Sequence, residues 1–296
     1  LLVAALLLAA CGQQPSGGES AATGPVTIRF FHKWPEPEHM EFYNFVIQEY
    51  EKTHPNVKIV MESVADEPYK DKIRVLMASG EVPDIYFSWA GEFSWKFARG
   101  GQALDLTDAV MNSDWKDKII LSAVEPYKWQ GKIYGVPMRI NAKFMVYNKA
   151  MFEQYGLQPP TTWDELLATC ETLKQNNVVP IAFGNEFPWA SSHYVGDFNA
   201  KLVNPQTRLS DYLLKTPPDQ LFADPMYVEA LKRFQTLMTN KCFNEGPNGI
   251  SHSGARSSFI AGKAAMMYIE LEEFITVAQG MGEDAFGFFQ LPGGTG

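Results

Sequence analysis

The first hundred residues alternate between short strand-like and longer helix-like segments, and this alternation constrains the fold more than any other feature. Residues 26–31 (VTIRFF) and 56–64 (NVKIVMESV) have the β-branched content or alternating polarity of strands. Residues 40–50 and 69–81 carry apolar side chains at helical spacing. A third strand-like segment follows at 82–92 (VPDIYFSWAGE). This order is typical of an α/β layer with a mainly parallel sheet.

A second α/β region follows a stretch that is interrupted by Gly131, Gly135 and Pro137. We therefore expect two lobes that are joined around residues 135–141. The predicted boundaries are 25–137 for lobe 1 and 138–290 for lobe 2. Each lobe is expected to be a mainly parallel sheet flanked by helices.

Local signals mark some helix ends. Thr162 and Glu165 have the spacing of a capping box at the start of a helix that begins at Trp163. Gly80 is suited to end the helix before it. Two cysteines, Cys170 and Cys242, lie in or just after helical segments, and they can form either a disulfide or two buried free thiols.

The overall charge excludes one class of partner. The chain of 296 residues has a net charge of −9 and no cluster of lysine and arginine, so we expect no binding to nucleic acid. Hydrophobic residues make up 46% of the chain, which is enough for a buried core. No His/Cys cluster has zinc-ligand spacing, and we expect no metal ion.

The first twenty residues, LLVAALLLAACGQQPSGGES, have the pattern of an export signal. The apolar run at 1–10 is too short to span a bilayer, which needs about 20 residues. The small residues before Cys11 resemble the bacterial lipobox, in which the signal is cut before the cysteine and the thiol carries lipid. We predict a partial signal peptide at 1–10 and a lipidated tether at 11–24, so that the protein is extracytoplasmic and attached to the cell membrane by lipid.

Several longer motifs resemble one known family. The segments GKIYGVP, VYNKAMFEQYGL, PPTTWDELL, PIAFGN and FIAGKAAMMYIE are similar to the extracellular sugar-binding proteins of bacterial ABC importers. The resemblance implies a two-lobe, type II fold of the maltodextrin-binding kind, with a ligand cleft between the lobes. It also implies a monomer that captures a carbohydrate and delivers it to ABC permease subunits, with no catalysis and no cofactor. In this family the chain returns to lobe 1 near GFFQLPGG, so residues 291–296 are expected to begin that crossing.

Candidate ligand residues come from the loops that follow strands, because open α/β sheets bind ligands at the carboxyl ends of their strands. Sugars pack their C–H faces on aromatic rings and pair their hydroxyls with carboxylates, amides and guanidinium groups. The predicted ligand-binding residues are His32, Trp34, Glu67, Trp89, Glu92, Arg139, Asn141, Asn185, Glu186, Trp189 and Glu270.

Each candidate also has a structural alternative. A tryptophan can belong to a core, the acidic residues can be solvated loop residues, and Arg139 and Asn141 can form hinge hydrogen bonds. Trp115, Trp129 and Trp163 are assigned to packing. The alternative functions are a secreted glycosidase, whose carboxylate pair is set by space and not by spacing, and a binding lipoprotein without a transport role. No G-x-S-x-G, H-E-x-x-H or phosphate-loop motif is present.

Overall fold

The computed structural model describes residues 24–294 of the chain. The predicted signal peptide, Cys11 and nearly all of the tether lie outside the described residues. The chain divides into two compact units, with the boundary between Arg139 and Ile140.

Unit 1 contains a parallel three-stranded sheet with helices between its strands. The strand order is β2-β1-β3, and β1 pairs in parallel with both neighbours. Its core consists of Phe31, Tyr69, Ile73, Met77 and Phe97. The elements in chain order are β1 (Val26–His32), α1 (Pro37–Thr53), β2 (Val57–Ser63), α2 (Asp66–Ser79), β3 (Ile85–Tyr86), α3 (Glu92–Arg99), α4 (Thr107–Met111), two 3-10 helices (Asp114–Asp117 and Leu121–Tyr127) and the antiparallel pair β4 (Lys128–Trp129) and β5 (Lys132–Ile133).

Unit 2 contains a four-stranded sheet in the order β7-β8-β6-β9. The helices and strands in chain order are β6 (Lys143–Asn148), α5 (Lys149–Gln154), α6 (Trp163–Gln175), β7 (Val179–Ala182), α7 (Trp189–Leu202), α8 (Pro205–Tyr212), α9 (Pro225–Thr239), α10 (His252–Ile260), β8 (Ala264–Glu270), α11 (Phe274–Met281) and β9 (Phe286–Phe289). Three short 3-10 helices lie at Pro247–Gly249, Leu271–Glu273 and Glu283–Ala285.

The prediction of a mainly parallel sheet is correct for unit 1 and wrong for unit 2. Only β7 and β8 are parallel, whereas β6 is antiparallel to both β8 and β9. The strand patterns could not reveal this, because a strand buried on both faces is equally apolar in either direction.

Apolar side chains cover the unit 2 sheet on both faces. Met145 belongs to one buried cluster and its neighbour Val146 to the other, as expected from the alternation of side chains along a strand. Cys170 and Cys242 both lie buried in the first cluster as free thiols. Contact with Cys242, together with burial, raises the pKa of the Cys170 thiol.

The tryptophans assigned to packing differ in their surroundings. Trp163 packs edge-on against Phe198 beside the core of unit 2, as predicted. Trp129 lies in β4, close to the ring of Trp95. The prediction is wrong for Trp115, whose residue surface is 49% exposed, because the single 3-10 turn that carries it leaves the indole in solvent. No helix among the described residues is long and apolar enough to cross a membrane.

The loop after β7 is held tightly against the loop before α10. A Cβ atom on Gly184 would lie 2.2 Å from the carbonyl oxygen of Ser251, so only glycine fits there. The next backbone N–H, that of Asn185, donates to the carbonyl of Pro247 at 2.8 Å. This contact fixes the backbone from which Asn185, Glu186 and Trp189 extend.

We predict that Gly184→Ala lowers the free energy of unfolding by about 1–3 kcal/mol, because the added methyl group overlaps backbone atoms that cannot move independently. Gly196, in α7, is the matched control, since a Cβ there meets no atom within 4 Å. Gly196→Ala should raise stability by about 0.5–1 kcal/mol. Urea unfolding of both variants checks this, and a Gly184→Ala protein as stable as the parent contradicts the tight contact.

Candidate functional site

The candidate residues of unit 1 follow the carboxyl ends of its three parallel strands. His32 is the last residue of β1, and it is fully buried between the rings of Phe30 and Tyr43. Its Nδ1 accepts a hydrogen bond of 3.3 Å from the backbone N–H of Trp34. Burial, together with the smaller effect of nearby His39, lowers the pKa of His32 to about 4, so the imidazole is neutral at pH 7. Through this hydrogen bond, the His32 side chain positions the backbone of Trp34.

The indole of Trp34 is buried among aromatic and cationic groups. Phe87 packs edge-on against it at 4.6 Å between ring centroids, and the Arg139 guanidinium lies 4.6 Å from the ring centroid on which it stacks. Arg139 Nη2 is also 3.4 Å from Nε2 of His39. Two predicted ligand residues, Trp34 and Arg139, are therefore in direct contact.

Lys33 connects the two candidate tryptophans of unit 1. Its Nζ lies 5.3 Å from the Trp34 ring centroid and 5.2 Å from that of Trp89. It also donates to Asp66 Oδ1 at 2.7 Å. Lys70 lies 5.3 Å from the Trp89 ring centroid and reaches Asp66 Oδ2 at 2.9 Å. Burial opposes ionisation of Asp66, but the two ammonium groups hold its pKa below the usual value.

The two glutamates of unit 1 have different surroundings. Glu67 lies at the start of α2 and accepts from Lys70 Nζ at 2.5 Å, which joins it to the group around Trp89. Glu92 starts α3 on the exposed surface, where Arg99 of the same helix binds both its oxygens. The structure therefore connects Glu67 to the tryptophans through Lys70, whereas Glu92 pairs with Arg99.

In unit 2, Asn185 stabilises the start of α7. Its Oδ1 accepts from the backbone N–H of Ser191 at 3.1 Å and from the Ser191 hydroxyl at 2.6 Å. Its Nδ2 donates to Asn248 Oδ1 at 2.7 Å. The side chain of the adjacent Glu186 is exposed, while its backbone N–H donates to Ile250. Asn185 thus holds the loop that carries Trp189.

Trp189 is the first residue of α7 and is half-buried between two imidazoles. Its ring centroid lies 5.2 Å from that of His193 and 5.1 Å from that of His252. His193 Nε2 in turn lies 4.0 Å from Glu270 Oε1. Trp189 and Glu270, which are 81 positions apart in sequence, are thereby linked through one histidine.

Glu270 ends β8 beside the start of β6. The antiparallel register places Lys143 directly opposite Glu270, and Lys143 Nζ lies 3.8 Å from Glu270 Oε1. Asn141 Nδ2 donates to Glu270 Oε2 at 3.1 Å. Lys143 was not predicted from the sequence, although a charged residue at the head of the apolar run KFMVYN is a usable signal.

Glu273 anchors this end of the sheet. Its carboxylate contacts His252 Nε2 at 2.9 and 3.0 Å, accepts from Arg256, and accepts from the backbone N–H of Glu270 at 2.9 Å. Burial alone would raise its pKa, but these partners lower it to about 2. A charged carboxylate thus fixes the backbone that carries Glu270.

With this geometry described, the family of the chain follows from comparison with known proteins. Residues 33–296 match the family model described as bacterial extracellular solute-binding protein. The chain belongs to this family. The predicted resemblance and the α/β fold class are thereby confirmed.

Three known proteins show what this solute-binding protein is similar to in sequence or in fold. The multiple sugar-binding protein of Streptococcus mutans is 26% identical over 263 residues, which are 88% of this chain and 60% of that protein. A solved structure from work on xylan utilization by Caldanaerobius polysaccharolyticus has a TM-score of 0.79 at 27% identity, over 92% of this chain and 69% of that one. A chitin oligosaccharide binding protein has a TM-score of 0.81 at 23% identity, over 92% and 68%, and this likeness shows the fold alone.

The chain spans about half to three fifths of the length of the curated relatives it matches. The family and these neighbours are binding proteins. Within residues 24–294, no group of three or more histidine, cysteine, aspartate or glutamate side chains is arranged to hold a metal ion.

The buried His32 predicts a specific pH dependence. Its folded-state pKa of about 4 lies below the value of 6.5 for an exposed histidine, so acid favours the unfolded chain between these values. We predict that the parent loses about 2 kcal/mol of stability through His32 between pH 7 and pH 5. In His32→Asn, whose amide oxygen can still accept from Trp34, this component should be absent.

Chemical unfolding at both pH values measures the difference between parent and variant. The control is His54→Asn, which removes an exposed imidazole from unit 1 and leaves His32 in place. An equal loss of stability in the parent and in His32→Asn would show that His32 protonates freely in the folded state.

Proposed function

We propose that this chain carries the carbohydrate-binding region of an extracellular receptor that delivers a di- or oligosaccharide to an ABC permease. The observation that carries the proposal is the connected group in unit 2. There the half-buried indole of Trp189 is linked through His193 to Glu270, which Asn141 and Lys143 flank.

This combination of groups suits a sugar. An aromatic ring packs against the C–H face of a pyranose, while a carboxylate accepts and an ammonium or amide donates hydrogen bonds to its hydroxyls. The printed names of relatives, such as the multiple sugar-binding protein, support the same ligand class. In unit 1, Trp34, Trp89, Glu67 and Arg139 offer further rings and charged groups, with His32 as a positioning residue.

The proposal separates capture from catalysis. A receptor returns its ligand unchanged, whereas a glycosidase with a suitably spaced carboxylate pair would cleave it. Family membership supports the receptor. We also propose that the protein acts as a monomer without a cofactor. Glu92, Asn185 and Glu186 stay in the proposed site as residues that border or support the ligand.

If the proposal is correct, a neutral oligosaccharide should change tryptophan fluorescence saturably and remain intact by chromatography. Trp189→Ala and Trp89→Ala should each weaken binding about 10-fold or more, because they remove a stacking contact together with apolar burial. Trp115→Phe is the matched control, since this exposed indole lies outside the candidate group, and it should bind like the parent.

The panel should contain maltotriose, xylotriose, cellotriose, raffinose, simple hexoses and a peptide mixture. A peptide that binds when no sugar does would overturn the carbohydrate assignment. Cleavage of a bound sugar would favour the glycosidase. Full binding by Trp189→Ala would remove Trp189 from the site.

We further propose that Cys11, which lies outside the described residues, is the lipidated first residue of the mature protein. The small residues before it match a lipobox. Cys11→Ser expressed in a bacterial host should therefore be released from the membrane fraction, because no acyl chain can be attached. Cys170→Ser is the control, since that thiol is buried, and it should stay membrane-bound. Equal membrane retention of both variants would contradict lipidation at Cys11.

A further inference from the structure

Lys143 and Glu270 form a charge pair whose members do not touch. Lys143 Nζ and Glu270 Oε1 are 3.8 Å apart, which is too long for a hydrogen bond. Only 14% of the Lys143 side chain and 29% of the Glu270 side chain is exposed. The pair is thus partly withdrawn from water, yet a gap remains between its charged atoms.

The donors of Lys143 are poorly satisfied compared with those of similar lysines. Lys33, with an exposed side-chain fraction of 18%, donates to Asp66 at 2.7 Å, whereas Lys143 Nζ lies 3.8 Å from Glu270 Oε1. Its other contact is with the ring of Tyr268, at 5.3 Å from the centroid. A mostly buried ammonium with unfilled donors costs free energy unless another group completes its hydrogen bonds.

Glu270 is held in position from two sides. Asn141 donates to Glu270 Oε2 at 3.1 Å, and the backbone N–H of Glu273 donates to the Glu270 carboxylate in a reciprocal capping box, whose other half is the 2.9 Å bond from the Glu270 backbone N–H to the Glu273 carboxylate. Glu273 is itself fixed by His252 and Arg256. These contacts fix the orientation of the Glu270 side chain. The distance of 3.8 Å to Lys143 is therefore set by the structure at this end of the sheet and not by a mobile surface side chain.

We propose that Lys143 and Glu270 together bind one hydroxyl group of an uncharged sugar. The hydroxyl oxygen accepts from Lys143 Nζ, and its proton is donated to Glu270 Oε1. An oxygen about 2.8 Å from both atoms fits the 3.8 Å separation, since the two contacts then meet at roughly a right angle. A hydroxyl is suited to this position because it donates and accepts at once. This inference rests on the proposed function and names the part of the ligand that unit 2 recognises.

The surrounding charges favour a neutral ligand. The carboxylates of Glu270, Glu272 and Glu273 act on Lys143 and would repel a uronate. An ammonium at the position of this hydroxyl cannot accept a hydrogen bond from Lys143, and a carboxylate there cannot donate one to Glu270. The pair therefore selects for a hydroxyl over a carboxylate or an amine at the same ring position.

The test uses the neutral trisaccharide from the panel that binds the parent most tightly, and its monodeoxy analogues. Lys143→Met should weaken binding of that sugar about 10- to 100-fold, because a charged hydrogen bond is lost. Its thermal midpoint should match or exceed that of the parent, since methionine fills the buried space without a charge. Lys174→Met, which removes an ammonium that pairs with Glu171 on α6, is the control and should bind like the parent.

The deoxy analogues identify the shared hydroxyl. One deoxy analogue should bind the parent with about the same affinity as the complete sugar has for Lys143→Met. The affinity of Lys143→Met for this analogue should be little lower than that of the parent. Glu270→Gln should also lose little further affinity for that one deoxy analogue. The loss of binding free energy in the double variant Lys143→Met, Glu270→Gln should be smaller than the sum of the losses in the two single variants. A uronate and an amino-sugar counterpart should both bind the parent more weakly than the neutral sugar.

The outcomes distinguish the inference from the function on which it rests. If no sugar binds the parent, the proposed function is overturned. If sugars bind, but Lys143→Met binds them as well as the parent, the role of Lys143 is overturned and the receptor stands. If the uronate binds more tightly than the neutral sugar, and does so through Lys143, the uncharged ligand class is overturned.

Discussion

The structure of unit 2 depends most on the burial of β8 on both of its faces. All residues of this strand before Glu270 are buried, so its backbone groups must pair with the neighbouring strands β6 and β7. The strand can carry a charged side chain only where the sheet ends. Glu270 occupies this position, and the antiparallel partner strand brings Lys143 beside it. The location of the polar group thus follows from the extent of the apolar core.

A charged side chain at the end of a buried strand needs hydrogen-bond or ion-pair partners. The Glu273 carboxylate has three, which are His252, Arg256 and the backbone N–H of Glu270. His252 and Arg256 both come from α10, the helix that precedes β8. Only three residues connect α10 to β8, and the chain then reaches Glu273 just after β8, beside the two basic side chains. The ammonium group of Lys143 is also buried, but its carboxylate partner Glu270 is 3.8 Å away. Burial therefore lowers the pKa of Lys143 in spite of the nearby carboxylates. The same end of the sheet therefore contains a closely bonded ion cluster around Glu273 and, next to it, the more widely separated pair of Lys143 and Glu270.

Local features of this fold could be predicted from the sequence, whereas long-range pairings could not. The capping box of Thr162 and Glu165 and the left-handed Gly80 depend on neighbouring residues, and both are present. The strand ends that carry Trp34, Trp89 and Glu270 were located for the same reason. Lys33 was missed because its partner Asp66 is 33 positions away, Lys70 because its contact with Trp89 depends on how α2 packs beside the end of β3, and Lys143 because its partner depends on the direction of a strand. The ligand roles of the predicted residues stay predictions.

The two units present their tryptophans in different physical settings. In unit 1, Lys33 Nζ lies 5.3 Å from the ring centroid of Trp34 and 5.2 Å from that of Trp89, and the Arg139 guanidinium lies over the Trp34 ring. Because the Trp34 ring is buried, a sugar that stacks on it must replace a cation–π contact worth about 2 kcal/mol, which exceeds the stacking gain of about 0.5–1.5 kcal/mol. In unit 2, Trp189 lies between imidazoles, and the polar groups nearby hold one another in place. In the proposed receptor, we therefore expect hydrogen bonds in unit 2 to discriminate between sugars more than stacking on Trp34 does.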